Sequence, residues 1–462
     1  MPIFRIRTQA RPASHMLRHL IFSTMMAVSG LLCAQIDPQA TCETRTLYAQ
    51  LRAVQGHALL FGHQLSNYEG NGWADPDGTA DRSDCLAAAG DFPAVFGYDF
   101  LYGYEAFREH ALRAYRMGAI VTFCDHLDNP SNGEDAWNTQ GNPVRRILEP
   151  GSPERARFRT HLERVARFFT TLTEGGVPVP VIYRPFHEHT GSWFWWGKAH
   201  CTEDEFIALW RYTVRLLRDT LGVHSLLYAY SPASPVHYGG YPERYPGDEF
   251  VDILGFDQYG RGNFSHSLLA NCRITAALAQ AKGKAAAITE FGVSGGIQRT
   301  QLDSWFMEAL LEPLCRDTLA CKVAYAHTWR NGGPDHHWIP MPGSPAHPGF
   351  EAFHAHPFTR FAGDLPADLY ACGVQPAVRP LGPFARVYPN PAQDQVQVEL
   401  MHPAEAGLRL RVLDTQGRRV ADAPLELPLH TLPLAHWPAG LYLVQIADAG
   451  GGLRHQSKFF VE

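Results

Sequence analysis

Two glutamates lie in apolar, aromatic surroundings that change how readily a carboxyl group ionises. Glu188 lies in Tyr183-Arg-Pro-Phe-His-Glu-His-Thr-Gly-Ser-Trp-Phe-Trp-Trp-Gly197, where three Trp and one Phe fall within four residues. Glu290 lies in Ile288-Thr-Glu-Phe-Gly292, with no basic residue beside it. Apolar rings disfavour the charged form of a carboxyl group, which suits a general acid. Either glutamate alone is compatible with a structural ion pair, but the two together favour a catalytic pair.

A pair of carboxyl groups on either side of a glycosidic bond is the machinery of glycoside hydrolysis. One group protonates the leaving oxygen, and the other attacks the anomeric carbon or activates water. The flat faces of Trp193 and Trp329 are suited to bury the C–H faces of sugars. We expect His187, Asp257 and Arg330 to contact the sugar hydroxyls.

The run His187-Glu188-His189 also suggests a metal site, with Asp335-His336-His337 as its second half. The chain has no CxxC spacing and no helical H-E-x-x-H, which argues against this alternative. No metal or organic cofactor is therefore expected. Strand alternation would point adjacent residues to opposite faces. Since His187 and Glu188 are both assigned to the sugar, we predict a β-bulge or the end of the regular strand there.

Eight short apolar runs alternate with amphipathic stretches between about residues 40 and 372. Such runs are typical of strands buried on both faces of a parallel sheet. They are His57–Gly62, Pro93–Tyr98, Ala119–Phe123, Val179–Tyr183, Ser225–Tyr230, Val251–Gly255, Ala285–Thr289 and Val323–Ala326. Eight βα units predict a (β/α)₈ TIM barrel over 40–372, with a doubly wound open sheet as the alternative.

Two helix starts between these runs are marked by capping residues. Ser152-Pro153-Glu154 reads as an N-cap, a first-turn proline and a first-turn acid, opening a helix towards Leu172. Thr202-Glu-Asp-Glu205 reads as a capping box. In such a barrel the chemistry lies at the carboxyl ends of the strands, and the two glutamates follow strands four and seven. They are therefore expected to face each other across the barrel mouth.

The two ends of the chain differ in character from its middle. Residues 1–34 read as a signal peptide, with basic residues before an apolar run that is too short to span a membrane. Residues 373–383 are rich in Pro and Gly and read as a linker. Residues 384–462 hold alternating strand-like runs and predict a small C-terminal antiparallel β-sandwich.

The net charge bears on possible binding partners, and the cysteine count bears on possible disulfides. The net charge of −6 offers no basic field, so nucleic acid is not an expected partner. Eight cysteines remain after residue 34, an even number that permits disulfides in an exported protein. Cys315 and Cys321 are close enough in sequence to suggest one pair. A monomer is expected.

The motifs around the two glutamates resemble a known enzyme family. Arg184-Pro-Phe-His-Glu188, Trp193-Phe-Trp-Trp-Gly197 and Thr289-Glu-Phe-Gly292 are similar to motifs of glycoside hydrolase family 26. Its members are mostly retaining endo-β-1,4-mannanases on a (β/α)₈ barrel. The resemblance covers about residues 45 to 365. It implies hydrolysis of mannan, glucomannan or galactomannan by double displacement.

The resemblance also implies a role for individual residues. Glu188 is implied as the acid/base and Glu290 as the nucleophile, which Tyr259 holds ionised by a hydrogen bond. Its other implied contacts surround the sugar: His187 at the cleavage point, Trp193 on the leaving-group side, Trp329 and Arg330 on the non-reducing side, and His126 after strand three. Independently of the resemblance, His126 is equally compatible with a structural histidine. Trp195 and Trp196 are expected in the loop core, and Arg184 as a buried counter-ion.

One departure from the family pattern bears on the substrate. The family usually has Met-Asn after the acid/base glutamate, whereas this chain has His189 and Thr190. This leaves β-1,3-xylan and mixed-linkage glucan as alternative substrates for the same machinery. An inactive glycan-binding protein is the alternative of a different class, although binding alone requires neither glutamate.

The C-terminal segment resembles the sorting domain of the type IX secretion system. Its matching motifs are Val387-Tyr-Pro-Asn-Pro391, Val412-Leu-Asp-Thr-Gln-Gly417, Pro438-Ala-Gly-Leu-Tyr442 and Lys458-Phe-Phe-Val461. The resemblance implies type IX secretion machinery as a partner and a secreted or cell-surface location. The alternative is a carbohydrate-binding β-sandwich, which the scarcity of aromatic residues in this segment disfavours.

Overall fold

A computed structural model describes most of the chain between residues 35 and 461. The described residues are 35–300, 302–333, 336–372, 385–400, 407–415, 417–425, 427, 429–447 and 453–461. The predicted signal peptide at 1–34 and the predicted linker at 373–383 lie outside these residues. The domain bounds drawn from the sequence therefore stay predictions.

Eight parallel strands close into a barrel. The first five and the eighth are Leu59–Gln64, Val95–Asp99, Ile120–Cys124, Val181–Arg184, Leu226–Tyr230 and Tyr325–Thr328. The sixth has two segments, Ile253–Leu254 and Asp257–Gly260, as does the seventh, Ala285–Ala286 and Ile288–Val293. Each strand pairs with the next, and the eighth pairs with the first. This closure confirms the (β/α)₈ barrel and excludes the open sheet.

Burial on both strand faces explains why the strands read as continuous apolar runs. Side chains that point into the barrel form one cluster with the helix Cys42–Val54, which supplies Leu47 and Leu51. Side chains that point outward form a larger cluster with the surrounding helices. The barrel interior is thus a packed core rather than a pore, so substrate access is confined to its rim.

One α-helix precedes the first strand, and the other α-helices follow the strands around the barrel. They are Cys42–Val54, Asp84–Ala89, Arg108–Arg116, Pro143–Leu148, Pro153–Thr171, Glu203–Val214, Pro235–Tyr238, Phe264–Lys282, Glu312–Cys315 and His347–Ala355. The Ser152 hydroxyl accepts a hydrogen bond from the Arg155 amide, and Thr202 forms a capping box with Glu205. Both predicted helix starts are confirmed. None of the described helices is long and apolar enough to cross a membrane.

Two antiparallel sheets make up the C-terminal unit. One holds Ala385–Tyr388, Gln395–Leu400 and Leu429–Pro433, and the other holds Arg409–Leu413, Arg419–Pro424, Gly440–Ala447 and Leu453–Val461. Alternate residues such as Val396, Val398 and Val444 are buried in a separate core. This arrangement confirms the predicted small β-sandwich.

A disulfide joins Cys42, at the start of the first barrel helix, to Cys372. The suggested pairing of Cys315 with Cys321 is wrong, because both are free. Nearness in sequence misled here. The bond that forms connects residues 330 positions apart, which the closed barrel brings together.

Removing this disulfide should destabilise the barrel. Cross-linking over so long a loop restricts the unfolded chain, so the double variant Cys42→Ser/Cys372→Ser should lose about 2–4 kcal/mol of unfolding free energy. Denaturant unfolding followed by Trp fluorescence measures this loss. Cys315→Ser, which removes an exposed free thiol, is the control and should unfold like the wild type. Equal stability of the double variant and the control would contradict the prediction.

Candidate active site

The backbone after strand four departs from regular strand geometry as it reaches Glu188. The strand ends at Arg184, and Phe186 and Glu188 adopt positive φ angles of 51° and 53°. Such left-handed residues are rare outside glycine and cluster at functional sites. The Glu188 amide donates to the Ser231 carbonyl at 2.7 Å, which holds this conformation. The predicted end of the regular strand before His187 and Glu188 is confirmed.

The aromatic run beyond Glu188 divides into core and cleft residues. Trp195 and Trp196 are fully buried, and the Trp196 indole N–H donates to the His187 carbonyl at 2.8 Å. These two form the expected loop core. Trp193 is only half-buried, and its indole Nε1–H donates to Glu188 Oε2 at 2.7 Å. One tryptophan of the run thus contacts the carboxyl group directly.

Glu290 lies in a network with a cation and a phenol. Arg184 Nη2 donates to Glu290 Oε2 at 2.5 Å, and the Tyr259 hydroxyl donates to Oε1 at 2.5 Å. Arg184 also donates to Asp257 at 2.6 Å and is almost fully buried. Arg184 is therefore the buried counter-ion that the sequence suggested, and Tyr259 lies where its predicted role requires.

The carboxylate of Asp257 is bonded within the protein, and its expected contact with sugar hydroxyls stays a prediction. Its carboxylate is fully buried, and both oxygens accept hydrogen bonds from the protein. Oδ2 accepts from Arg184, and Oδ1 accepts from Ser231 at 2.6 Å and from Thr289 at 2.8 Å. Asp257 pairs in register with Glu290 on the neighbouring strand. Asp257 and Glu290 thus bond to the same guanidinium group of Arg184.

Gly292, which ends the motif Thr289-Glu-Phe-Gly292, leaves room for Trp338, a residue that the sequence did not point to. A Cβ at this position would lie 2.0 Å from Trp338 Cδ1, so only glycine fits. The Trp338 ring packs edge-on to Tyr259, with centroids 6.1 Å apart. Trp338 thereby packs against the ring of Tyr259, whose hydroxyl donates to Glu290. The glycine itself was the available signal, since it marks a close approach to the strand.

The two glutamates occupy opposite electrostatic environments. Burial raises the pKa of Glu188 well above its ordinary value, and the charges of Glu290 and Asp257 add to the effect. The Trp193 hydrogen bond and the Arg184 charge oppose it. Glu290, in contrast, is paired directly with Arg184. Glu188 is thus disposed to hold a proton, whereas Glu290 bonds to a cation, and glycoside hydrolysis requires two carboxyl groups in such different settings.

Two histidines are coupled at the floor of the site. His126 Nδ1 bonds to Asp99 at 2.5 Å, and its Nε2 lies 3.2 Å from His187 Nε2. Burial acts to lower the pKa of His126, but Asp99 outweighs burial and raises it. Burial lowers the pKa of His187 well below its ordinary value. The Nε2–H of His126 is thus able to donate a hydrogen bond to Nε2 of His187. Asp99 was missed, because nothing in the sequence links it to His126.

The remaining predicted residues lie on the same rim. Trp329 and Arg330 follow strand eight, and the Trp329 ring centroid is 5.9 Å from that of His126. Arg330 forms an ion pair with Glu69, a partner that sequence reasoning missed. Trp137, also missed, stacks on His126 at 5.0 Å and 17° and is 48% exposed. An exposed aromatic ring stacked on a site residue is suited to contact a sugar.

The residues that depart from the family pattern do not line the cleft. His189 is fully buried between Phe206 and Tyr230, with ring centroids 4.3 and 4.7 Å away, and Thr190 is also fully buried. His187 and His189 therefore do not converge on a common ligand, and Asp335 lies outside the described residues. Within the described chain, the group of side chains close enough for a metal ion is Asp99, Cys124 and His126.

The fold and the site together define a class: a (β/α)₈ glycoside hydrolase with paired carboxyl groups at its rim. Residues 36–304 match the model of glycosyl hydrolase family 26, and residues 386–462 match the secretion system C-terminal sorting domain. The chain belongs to glycosyl hydrolase family 26.

Solved structures and curated relatives agree with this membership. An endo-β-1,4-mannanase double mutant from Cellulomonas fimi superposes with a TM-score of 0.68 at 31% identity, covering 93% of this chain and 99% of that one. A family 26 β-mannanase from Bacteroides ovatus gives a TM-score of 0.64 at 31% identity, covering 72% and 99%. A mannan endo-1,4-β-mannosidase from Bifidobacterium adolescentis is 33% identical over 69% of this chain. The chain spans 34% of that relative's length.

Removing the indole donor to Glu188 should shift the alkaline limb of the pH profile. The Trp193 hydrogen bond lowers the pKa of Glu188, so Trp193→Phe should raise that pKa and keep the carboxyl protonated to higher pH. The alkaline limb of kcat/KM, which reports the free enzyme's acid, should therefore move to higher pH. Trp437→Phe in the β-sandwich is the control. An unmoved limb, or one moved to lower pH, would show that Glu188 is not the acid.

Proposed function

We propose that the chain is a retaining endo-β-1,4-mannanase that hydrolyses mannan, glucomannan or galactomannan by double displacement. The observation that carries this proposal is the pair Glu188 and Glu290, one half-buried beside an indole and the other paired with Arg184. The family membership and the relatives named as mannan endo-1,4-β-mannosidases support the substrate class.

The proposed reaction has two steps. Glu188 protonates the glycosidic oxygen while Glu290 attacks the anomeric carbon, which gives a covalent glycosyl-enzyme. Arg184 and Tyr259 hold the Glu290 carboxylate for this attack. Once Glu290 is esterified its charge is lost, and that charge helps to raise the pKa of Glu188. The pKa of Glu188 therefore falls in the intermediate, so the same residue acts as the base that activates water.

Binding residues are proposed on both sides of this pair. Trp193 faces the leaving-group side, and Trp329 and Arg330 face the non-reducing side. His126 and His187 form the polar floor beside the sugar at the cleavage point. The burial of His189 and Thr190 supports mannan over β-1,3-xylan or mixed-linkage glucan, because the departure from the family pattern lies away from the cleft.

Anion rescue tests both catalytic assignments at once. With an activated aryl β-mannobioside, Glu290→Ala and Glu188→Ala should each lose about 10²–10⁴-fold in rate without azide. Azide occupies the place of the missing carboxylate. It should give the α-azide with Glu290→Ala, because attack is direct. It should give the β-azide with Glu188→Ala, because attack is on the glycosyl-enzyme.

The wild type supplies the matched controls. Proton NMR of early products should show the β-anomer, and reducing ends should appear from mannan, galactomannan and glucomannan rather than from β-1,3-xylan or lichenan. Initial release of the α-anomer would reject retention. Mannan hydrolysis surviving in both alanine variants would reject the pair. Binding to mannan without any hydrolysis would favour the inactive glycan-binding alternative.

The C-terminal sandwich is proposed to direct export rather than to bind substrate. Its match to a secretion system sorting domain supports recognition by type IX machinery and a secreted or cell-surface location. Export through a signal peptide at 1–34 belongs to the same proposal. Deleting 384–462 should keep the specific activity of the purified barrel on mannan and abolish secretion by a type IX host. Reduced activity on insoluble mannan alone would instead indicate a carbohydrate-binding module.

A further inference from the structure

Tyr238 extends the aromatic surface that begins at the acid residue. It ends the short helix Pro235–Tyr238 after strand five, and its side chain is 41% exposed. Its ring lies edge-on to Trp193, with centroids 5.3 Å apart and planes at 75°. Since Trp193 donates to Glu188, the two rings form a wall that runs outward from the carboxyl group. The wall stands on the side where the leaving sugar must receive its proton.

A buried side chain fixes the turn that carries Tyr238. Asn271 is fully buried on the helix Phe264–Lys282, and its Oδ1 accepts from the Val236 amide at 2.9 Å. Its Nδ2 donates to Ser234 at 2.8 Å and to Gln258 at 2.7 Å. Gln258 precedes Tyr259, so the turn is anchored to the strand that holds the phenol of the site. The turn that carries Tyr238 is thus held in place by hydrogen bonds to a buried side chain.

Lys198 joins the turn to the loop that carries Trp193. Its ammonium donates to the Tyr238 carbonyl at 3.1 Å and lies 5.7 Å from the centre of the Tyr238 ring. Both side chains are exposed, so a cation and an aromatic face stand together at the rim. An aromatic face beside polar donors is the combination that sugars require, because they present both C–H faces and hydroxyl edges.

We propose that Tyr238 stacks on the second sugar on the leaving-group side, one residue beyond the sugar against Trp193. This inference rests on the proposed mannanase function and adds a specificity-determining residue to it. Single exposed aromatic residues are common on protein surfaces. Tyr238 differs because its ring contacts Trp193 and its turn is held by buried Asn271. Lys198 also donates to its carbonyl. The angle between the rings offers successive sugars of one chain differently oriented faces.

The test compares a substrate that reaches Tyr238 with one that does not. Mannohexaose extends over the leaving-group side, whereas in p-nitrophenyl β-mannobioside a nitrophenol takes the place of the first leaving sugar. Tyr238→Ala should lower the ratio of kcat/KM for mannohexaose to that for the aryl mannobioside by about tenfold, equivalent to about 1.4 kcal/mol. Tyr238→Phe, which keeps the ring, should retain the wild-type ratio. The control is Tyr388→Ala, a tyrosine of similar exposure in the β-sandwich.

A second measurement follows the acceptor directly. With added mannobiose, the glycosyl-enzyme partitions between water and the sugar acceptor, which must occupy the leaving-group side. Tyr238→Ala should shift this partition towards water by about tenfold at equal acceptor concentration. The inference would be overturned if Tyr238→Ala matched the wild type both in the kcat/KM ratio of the two substrates and in the partition between water and mannobiose. Partial unfolding of the variant lowers the amount of active enzyme and changes neither quantity. Failure of the wild type to cleave either substrate would instead reject the proposed function.

Discussion

The structure of the site depends on one buried cation. Arg184 ends strand four and places its guanidinium between Asp257 and Glu290, which lie in register on strands six and seven. Removing a charge from water is costly unless partners compensate for it, and a planar guanidinium is able to bond two carboxylates at once. Ser231 and Thr289 satisfy the remaining oxygen of Asp257. Three strands are thereby joined by one satisfied polar network beneath the cleft.

This network explains why two glutamates on one rim behave differently. Burial raises the pKa of Glu188 and the negative charges of the network raise it further, while the cation of the network pairs directly with Glu290. Glu188 receives an indole N–H from Trp193 instead of a salt bridge. The acid and the carboxylate are therefore not independent features. The charge of Glu290 helps to raise the pKa of Glu188, and Arg184 bonds to Glu290.

The sequence predicted the parts of the molecule that depend on local patterns. Continuous apolar runs located eight strands, and the residues around Ser152 and Thr202 located helix starts. What it could not predict are contacts between residues distant in the chain: the disulfide from Cys42 to Cys372, the bond between Asp99 and His126, and the packing of Trp338 beside Gly292. The hydrogen bonds of Asp257 are contacts of the same kind, because Arg184, Ser231 and Thr289 all lie far from it in the chain.

The positive φ at Glu188 accounts for the position of His189, one of the two residues that depart from the family pattern. This backbone conformation turns residue 188 towards the cleft and sends residue 189 into the core behind it. His189 fills that space between Phe206 and Tyr230, and burial keeps the pKa of its imidazole well below the ordinary value. A neutral ring there meets a packing requirement rather than a recognition requirement. Residue 189 thus packs in the core behind Glu188, and its departure from the family pattern does not change the residues of the rim.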